Sequence, residues 1–124
     1  MNLCLLLGAK TVVFATTAFT LAWTHSVEKT RWEEDWRVTP NGLEIVEARI
    51  EGSGAGMEPP DDAVFDGRMW HYRPHLPPQM QLVLARSGAT GGTWGICFGG
   101  NCHSVPEARG AEQPAVLEPC AAPK

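Results

Sequence analysis

The chain has 124 residues, 44% of them apolar, ten lysines and arginines in all, and a formal net charge of −4. That length holds one domain with a hydrophobic core and not two. The basic residues are scattered, so neither a nucleic-acid stripe nor a polybasic membrane patch is present.

Met1 to Trp23 is largely apolar and admits two readings. A leader or anchor needs a basic start and an uninterrupted apolar run. Here no Lys or Arg precedes the run, and Lys10 interrupts it. Thr11, Thr16, Thr17 and Thr20, with Val12 and Val13, favour extended backbone. Strands of the domain are therefore the expectation, with no integral membrane span. The compartment stays open, with the cytoplasm ahead of the periplasm or export.

Leu3 to Leu7 reads as a short buried strand stopped by Gly8. From Thr17 to Glu28, Phe19, Leu21 and Trp23 alternate with Thr20, Ala22 and Thr24, the period of a half-buried strand. Arg31 to Val38 places Trp32, Trp36 and Val38 on one side, with Glu34, against Glu33, Asp35 and Arg37 on the other. A helix would also bring Trp32 and Trp36 together. Asn41-Gly42 decides for a strand, because it is a hairpin-turn pair. Leu43 to Ile50 returns, and its apolar set changes parity at Val46, which predicts a bulge or burial on both faces. Residues 52–62 are rich in Gly and Pro and read as an irregular connection. Arg68 to Arg73 reads as an edge strand ended by Pro74, Pro77 and Pro78. Gln81 to Arg86 and Thr93 to Phe98 are further strands. Many short strands separated by turns predict an all-β fold, an antiparallel sandwich or barrel. The domain is expected over residues 1–104. Residues 105–124, rich in Ala, Pro and Glu, read as a flexible C-terminal tail.

Four cysteines are too few for a disulfide scaffold. Cys97-Phe98-Gly99-Gly100-Asn101-Cys102 is the most informative local pattern. With Gly99-Gly100 as a two-residue turn, Cys97 faces Cys102 across the hairpin, within reach of a disulfide. Adjacent strand residues point to opposite faces, so His103 is not placed to activate Cys102 as a nucleophile.

The other candidate sites weaken under the same geometry. His25 and Glu28 form an H-x-x-E pair, which shares a face on a helix but not on a strand. His71 and His75 share a strand face but lie about 13 Å apart, too far for one zinc ion. Gly52, Gly54 and Gly56 match no nucleotide-binding fingerprint, and a backbone nest for a carboxylate is what they leave open. The five tryptophans fit sheet packing better than ligand stacking. Glu33, Glu34 and Asp35 read as a solvated row. No catalytic residue, metal site or cofactor is expected.

Ala22-Trp23-Thr24-His25-Ser26-Val27-Glu28-Lys29-Thr30-Arg31-Trp32-Glu33-Glu34-Asp35-Trp36 resembles the signature of the DUF1850 family. Gly52-Ser53-Gly54-Ala55-Gly56-Met57-Glu58-Pro59-Pro60 does as well, in the same order. The resemblance runs from about Leu3 to His103. It implies a bacterial protein associated with TAXI-type TRAP transporters. The expected function is a non-enzymatic accessory or binding module linked to organic-acid uptake, its partner a transporter component or a small organic anion. The residues expected at a binding surface are His25, Ser26, Glu28, Trp32, Trp36, Gly54 and Gly56. The alternatives are a small metal-dependent or carboxylate enzyme using His25 and Glu28, and a purely structural domain.

Overall fold

Alternating side chains and frequent turn residues produce strands throughout. The computed structural model describes residues 1–24, 30–51, 61–85, 94–106 and 114–121, and no helix occurs among them. No helix of the described residues is therefore long and apolar enough to cross a membrane.

The first sheet contains β1 (Asn2–Leu7), β2 (Lys10–Phe14), β8 (Leu82–Leu84) and β11 (Ala115–Cys120). The second contains β3 (Ala18–Thr24), β4 (Arg31–Thr39), β5 (Gly42–Glu51), β6 (Val64–Phe65), β7 (Met69–Tyr72), β9 (Gly95–Phe98) and β10 (Asn101–Ser104). Their orders are β2-β1-β11-β8 and β10-β9-β3-β4-β5-β7-β6, with every strand pair antiparallel. The two sheets pack face to face as a sandwich, the arrangement in which each hides its apolar side.

The core lies between them. Leu3, Leu5, Leu84, Ala115 and Leu117 come from the smaller sheet, and Phe19, Leu21, Trp36, Val38, Leu43, Ile45 and Ile96 from the larger. Burying an aliphatic side chain of this kind stabilises the fold by roughly 1.5–3 kcal/mol. Phe14, Phe98 and His103 close one side, with Phe14 5.5 Å from Phe98 and 5.2 Å from His103 between ring centroids.

The β9–β10 hairpin turns on its expected glycines, whereas the β4–β5 hairpin turns one residue earlier than the expected Asn41-Gly42. Gly99 and Gly100 both have positive φ, 60° and 83°, and Cys97 pairs directly with Cys102. In the β4–β5 hairpin the turn residues are Pro40 and Asn41, while Gly42 already pairs with Thr39. Gly42 has φ 126°, and a Cβ there would lie 2.6 Å from the backbone oxygen of Gln79. Glycine is needed because Leu43 and Gln79 exchange both backbone hydrogen bonds, at 2.7 and 2.8 Å.

The parity change at Val46 is a bulge. Trp36 pairs with Ile45 and Asp35 with Glu47, so Val46 has no partner on β4. Apolar positions on both sides of it, Ile45 and Ala48, are thereby kept buried.

Two expectations are corrected. Ala115–Cys120, placed in a flexible tail by composition, is β11, lying between β1 and β8. Ala115 and Leu117 are fully buried, and their alternation with Val116 and Glu118 is a strand pattern that the flanking prolines obscure. The strand expected at the edge, β7, lies inside the sheet, with β6 covering it. Cys4 and Cys120, for which the sequence offered no pairing, also form a disulfide, with Cα atoms 5.9 Å apart and a sequence separation of 116.

Candidate functional site

The larger sheet has a core-facing side and an opposite, polar side. Strand alternation sends Glu33, Asp35 and Arg37 of β4 to the polar side, and pairing brings Glu47 and Arg49 of β5 and His71 of β7 beside them. Arg49 is the hub. Its Nε donates to Glu33 Oε1 at 2.9 Å, and Nη1 and Nη2 donate to Asp35 at 2.7 and 2.8 Å. Nη1 also donates to Glu47 Oε2 at 2.7 Å. Arg31 Nε donates to the other oxygen of Glu33 at 2.7 Å, and the Thr20 hydroxyl donates to Asp35 at 2.7 Å.

The network continues across β7. His71 Nδ1 stands 3.2 Å from Glu47 Oε1, and Nε2 contacts Asp66 Oδ2. Asp66 Oδ1 in turn accepts the backbone N–H groups of Arg68 and Met69 at 2.8 and 2.7 Å, fixing the β6–β7 turn. The ionisation states follow. Hydrogen bonds from Arg49 hold the Asp35 carboxyl below its usual range. Burial pushes Glu33 upward, but the hydrogen bonds from Arg31 and Arg49 outweigh it and the net shift is downward. Backbone donation from Met69, then His71, lowers Asp66. Hydrogen bonding to Asp66, then Glu47, raises His71. Each carboxylate is therefore matched to a donor already in the protein. The cluster is a cross-strand brace, and four of the five N–H donors of Arg49 are directed at carboxylates within it.

The bulge at Val46 breaks the regular surface beside this brace. Val46 lines a groove of about 740 Å³ together with Arg37, Glu44, Arg73 and His75, walled by the prolines that follow β7. Arg31, Arg49 and Arg68 each pair with a carboxylate, whereas Arg37 and Arg73 have no ion pair among the described residues. Arg37 lies opposite Glu44 in the ladder without a salt bridge to it.

The residues expected from sequence fall in three groups. His25, Ser26, Glu28, Gly54 and Gly56 lie outside the described residues. Trp32 and Trp36 are on the core-facing side of β4, in register with Trp23 and Phe19 of β3. Trp36 is a core residue, 3% exposed. Trp32 stacks on Trp23 with 5.8 Å between centroids, and its buried indole N–H, like that of Trp70, has no hydrogen-bond partner among the described residues. Cys97 and Cys102 form a cross-strand disulfide, with Cα atoms 4.0 Å apart. All four cysteines are bonded, so no thiol is available as nucleophile or ligand.

The row Glu33-Glu34-Asp35 is not a uniformly solvated face. Glu33 and Asp35 join the brace, while Glu34 turns toward the core-facing side and accepts the Trp36 indole N–H at 3.1 Å. Among the described residues no group of three His, Cys, Asp or Glu side chains is placed to hold a metal ion. Sequence reasoning did not single out Arg37, Arg73 or Arg49, and it weighed His71 only as a zinc ligand paired with His75. The available signal was the parity of Arg37 and Arg49 on strands whose other faces are apolar.

Comparison with known proteins gives one relationship. No curated protein and no solved structure matches the chain. A family model described as a domain of unknown function matches residues 19–105, from β3 through β10, and leaves β1, β2 and β11 outside it. The chain belongs to the DUF1850 family.

Proposed function

We propose that the chain is a non-catalytic binding module for a small organic anion, held between Arg37 and Arg73 in the groove opened by the Val46 bulge. One observation carries this reading. These two guanidinium groups share a concavity of about 740 Å³ and have no carboxylate partner among the described residues, while Arg31, Arg49 and Arg68 are paired. A planar guanidinium binds a carboxylate through two parallel hydrogen bonds, and two such groups fit a dicarboxylate. Glu44 on the same wall supplies an acceptor, which suits a ligand bearing a hydroxyl as well. The brace around Arg49 supports the site by holding β4, β5 and β7 in fixed register.

Calorimetric titration with malate, and with its neutral diamide as control, tests the reading. Saturable malate binding is expected, with each of Arg37→Ala and Arg73→Ala weakening it by about tenfold or more. Absence of binding, or equal binding by the variants or the diamide, rejects it. The family resemblance adds a partner class, a component of an organic-acid transporter. Co-purification of such components with the tagged chain tests that association; no partner, with uptake unchanged on deletion, rejects it.

A further inference from the structure

A second concavity, of about 300 Å³, has walls drawn from both sheets. Trp23, Trp36 and Trp94 line it with Glu34, and Leu82 and Leu84 contribute from β8. The Trp23 and Trp94 rings lie 4.9 Å apart at 48°, so they form an angled wall and not a flat stack. The Trp94 indole N–H is already spent on the Ala85 carbonyl at 2.8 Å.

Glu34 does not fit a purely structural account of this cleft. Its neighbours on β4, Glu33 and Asp35, each have an arginine. Among the described residues, Glu34 accepts the Trp36 indole N–H and forms no ion pair. Burial pushes its carboxyl above the ordinary value, opposite to the shifts of Glu33, Asp35 and Asp66. An aliphatic side chain would fill the same space without the cost of desolvating a carboxylate.

We infer that this cleft is a binding site for a small organic ammonium ion, with Glu34 as counter-ion and the tryptophans as the surrounding wall. Aromatic faces attract weakly hydrated cations through the ring quadrupole, and a nearby carboxylate adds direct charge pairing. A bare metal ion is a poor fit, because one carboxylate among indoles and leucines offers too few oxygen ligands. An anion is excluded by Glu34 itself. The site is independent of the Arg37–Arg73 groove: Glu34 and Arg37 lie three residues apart on β4 and so point to opposite faces.

The test is titration of the whole protein with choline, read by intrinsic tryptophan fluorescence. The neutral isostere 3,3-dimethylbutan-1-ol serves as control. Choline is expected to give a saturable change, and the alcohol to bind about tenfold more weakly or worse. Glu34→Gln keeps an acceptor for the Trp36 N–H, so it is expected to keep or raise the thermal midpoint while losing about tenfold or more in choline affinity. Trp94→Leu provides the same loss should the glutamine variant not fold. No saturable response to choline, equal binding of the alcohol, or unchanged affinity in the folded variant overturns the inference.

Discussion

The smaller sheet joins the two ends of the described chain, and the Cys4–Cys120 disulfide fastens that junction. β1 and β11 pair from Asn2↔Cys120 to Leu6↔Val116, and they carry Leu3, Leu5, Ala115 and Leu117 into the core. The sulfurs lie on the opposite face of that sheet, since Cys4 alternates with Leu3 and Leu5. The bond therefore contributes by restricting the unfolded chain more than by filling the core. With a sequence separation of 116, the chain-entropy model gives about 5 kcal/mol. For Cys97–Cys102, with a separation of 5, the same model gives about 2 kcal/mol. The double variant Cys4→Ser/Cys120→Ser should therefore lose more stability than Cys97→Ser/Cys102→Ser, by up to about 3 kcal/mol. Guanidinium unfolding followed by tryptophan fluorescence, with and without reductant, measures both. Equal stability of the two variants, or indifference of the parent protein to reductant, would refute the account of how the chain ends are held.

Two further outcomes follow from the polar face of the larger sheet. His71 is raised by Asp66 and Glu47, so its protonated form favours the folded state. That contribution is complete below the ordinary histidine value of 6.5 and is lost as pH rises through the folded value. The urea midpoint should fall over that window in the parent and stay flat in His71→Asn; parallel profiles would remove His71 from the brace. Deleting Val46 should leave β4 and β5 paired through the same residues, because Val46 is the one without a partner, yet flatten the groove. Near-parental unfolding with malate binding lost is the expected result, and retained malate binding would dissociate the groove from the bulge.

Strand periodicity made the larger sheet legible. Phe19, Leu21 and Trp23 share one face of β3, although Ala22 between them is buried as well, and Gly99-Gly100 sets the facing cysteines. The ionic brace was hidden by one residue. Counted back from the Thr39↔Gly42 pair, a regular hairpin sets Glu33 opposite Ala48; the extra Val46 moves Arg49 into that place. The apolar parity change pointed to the bulge, but only the pairing shows that it brings Arg49 between Glu33 and Asp35. β11 was concealed by Pro114 and Pro119 around a short alternation, and a contact between residues 116 apart leaves no local trace. His71 was legible as half of a pair with His75, but its partners come from the register of β5 and from the β6–β7 turn.

The central claim divides the described arginines into those committed to the brace or to a surface pair and those left for a ligand. Nitrogen–proton correlation spectra of the arginine Nε groups, recorded during a malate titration, test this most directly. The account predicts that the Arg37 and Arg73 signals shift together and saturate, while those of Arg31, Arg49 and Arg68 stay in place. Shifts at Arg49, or none at Arg37 and Arg73, would contradict it.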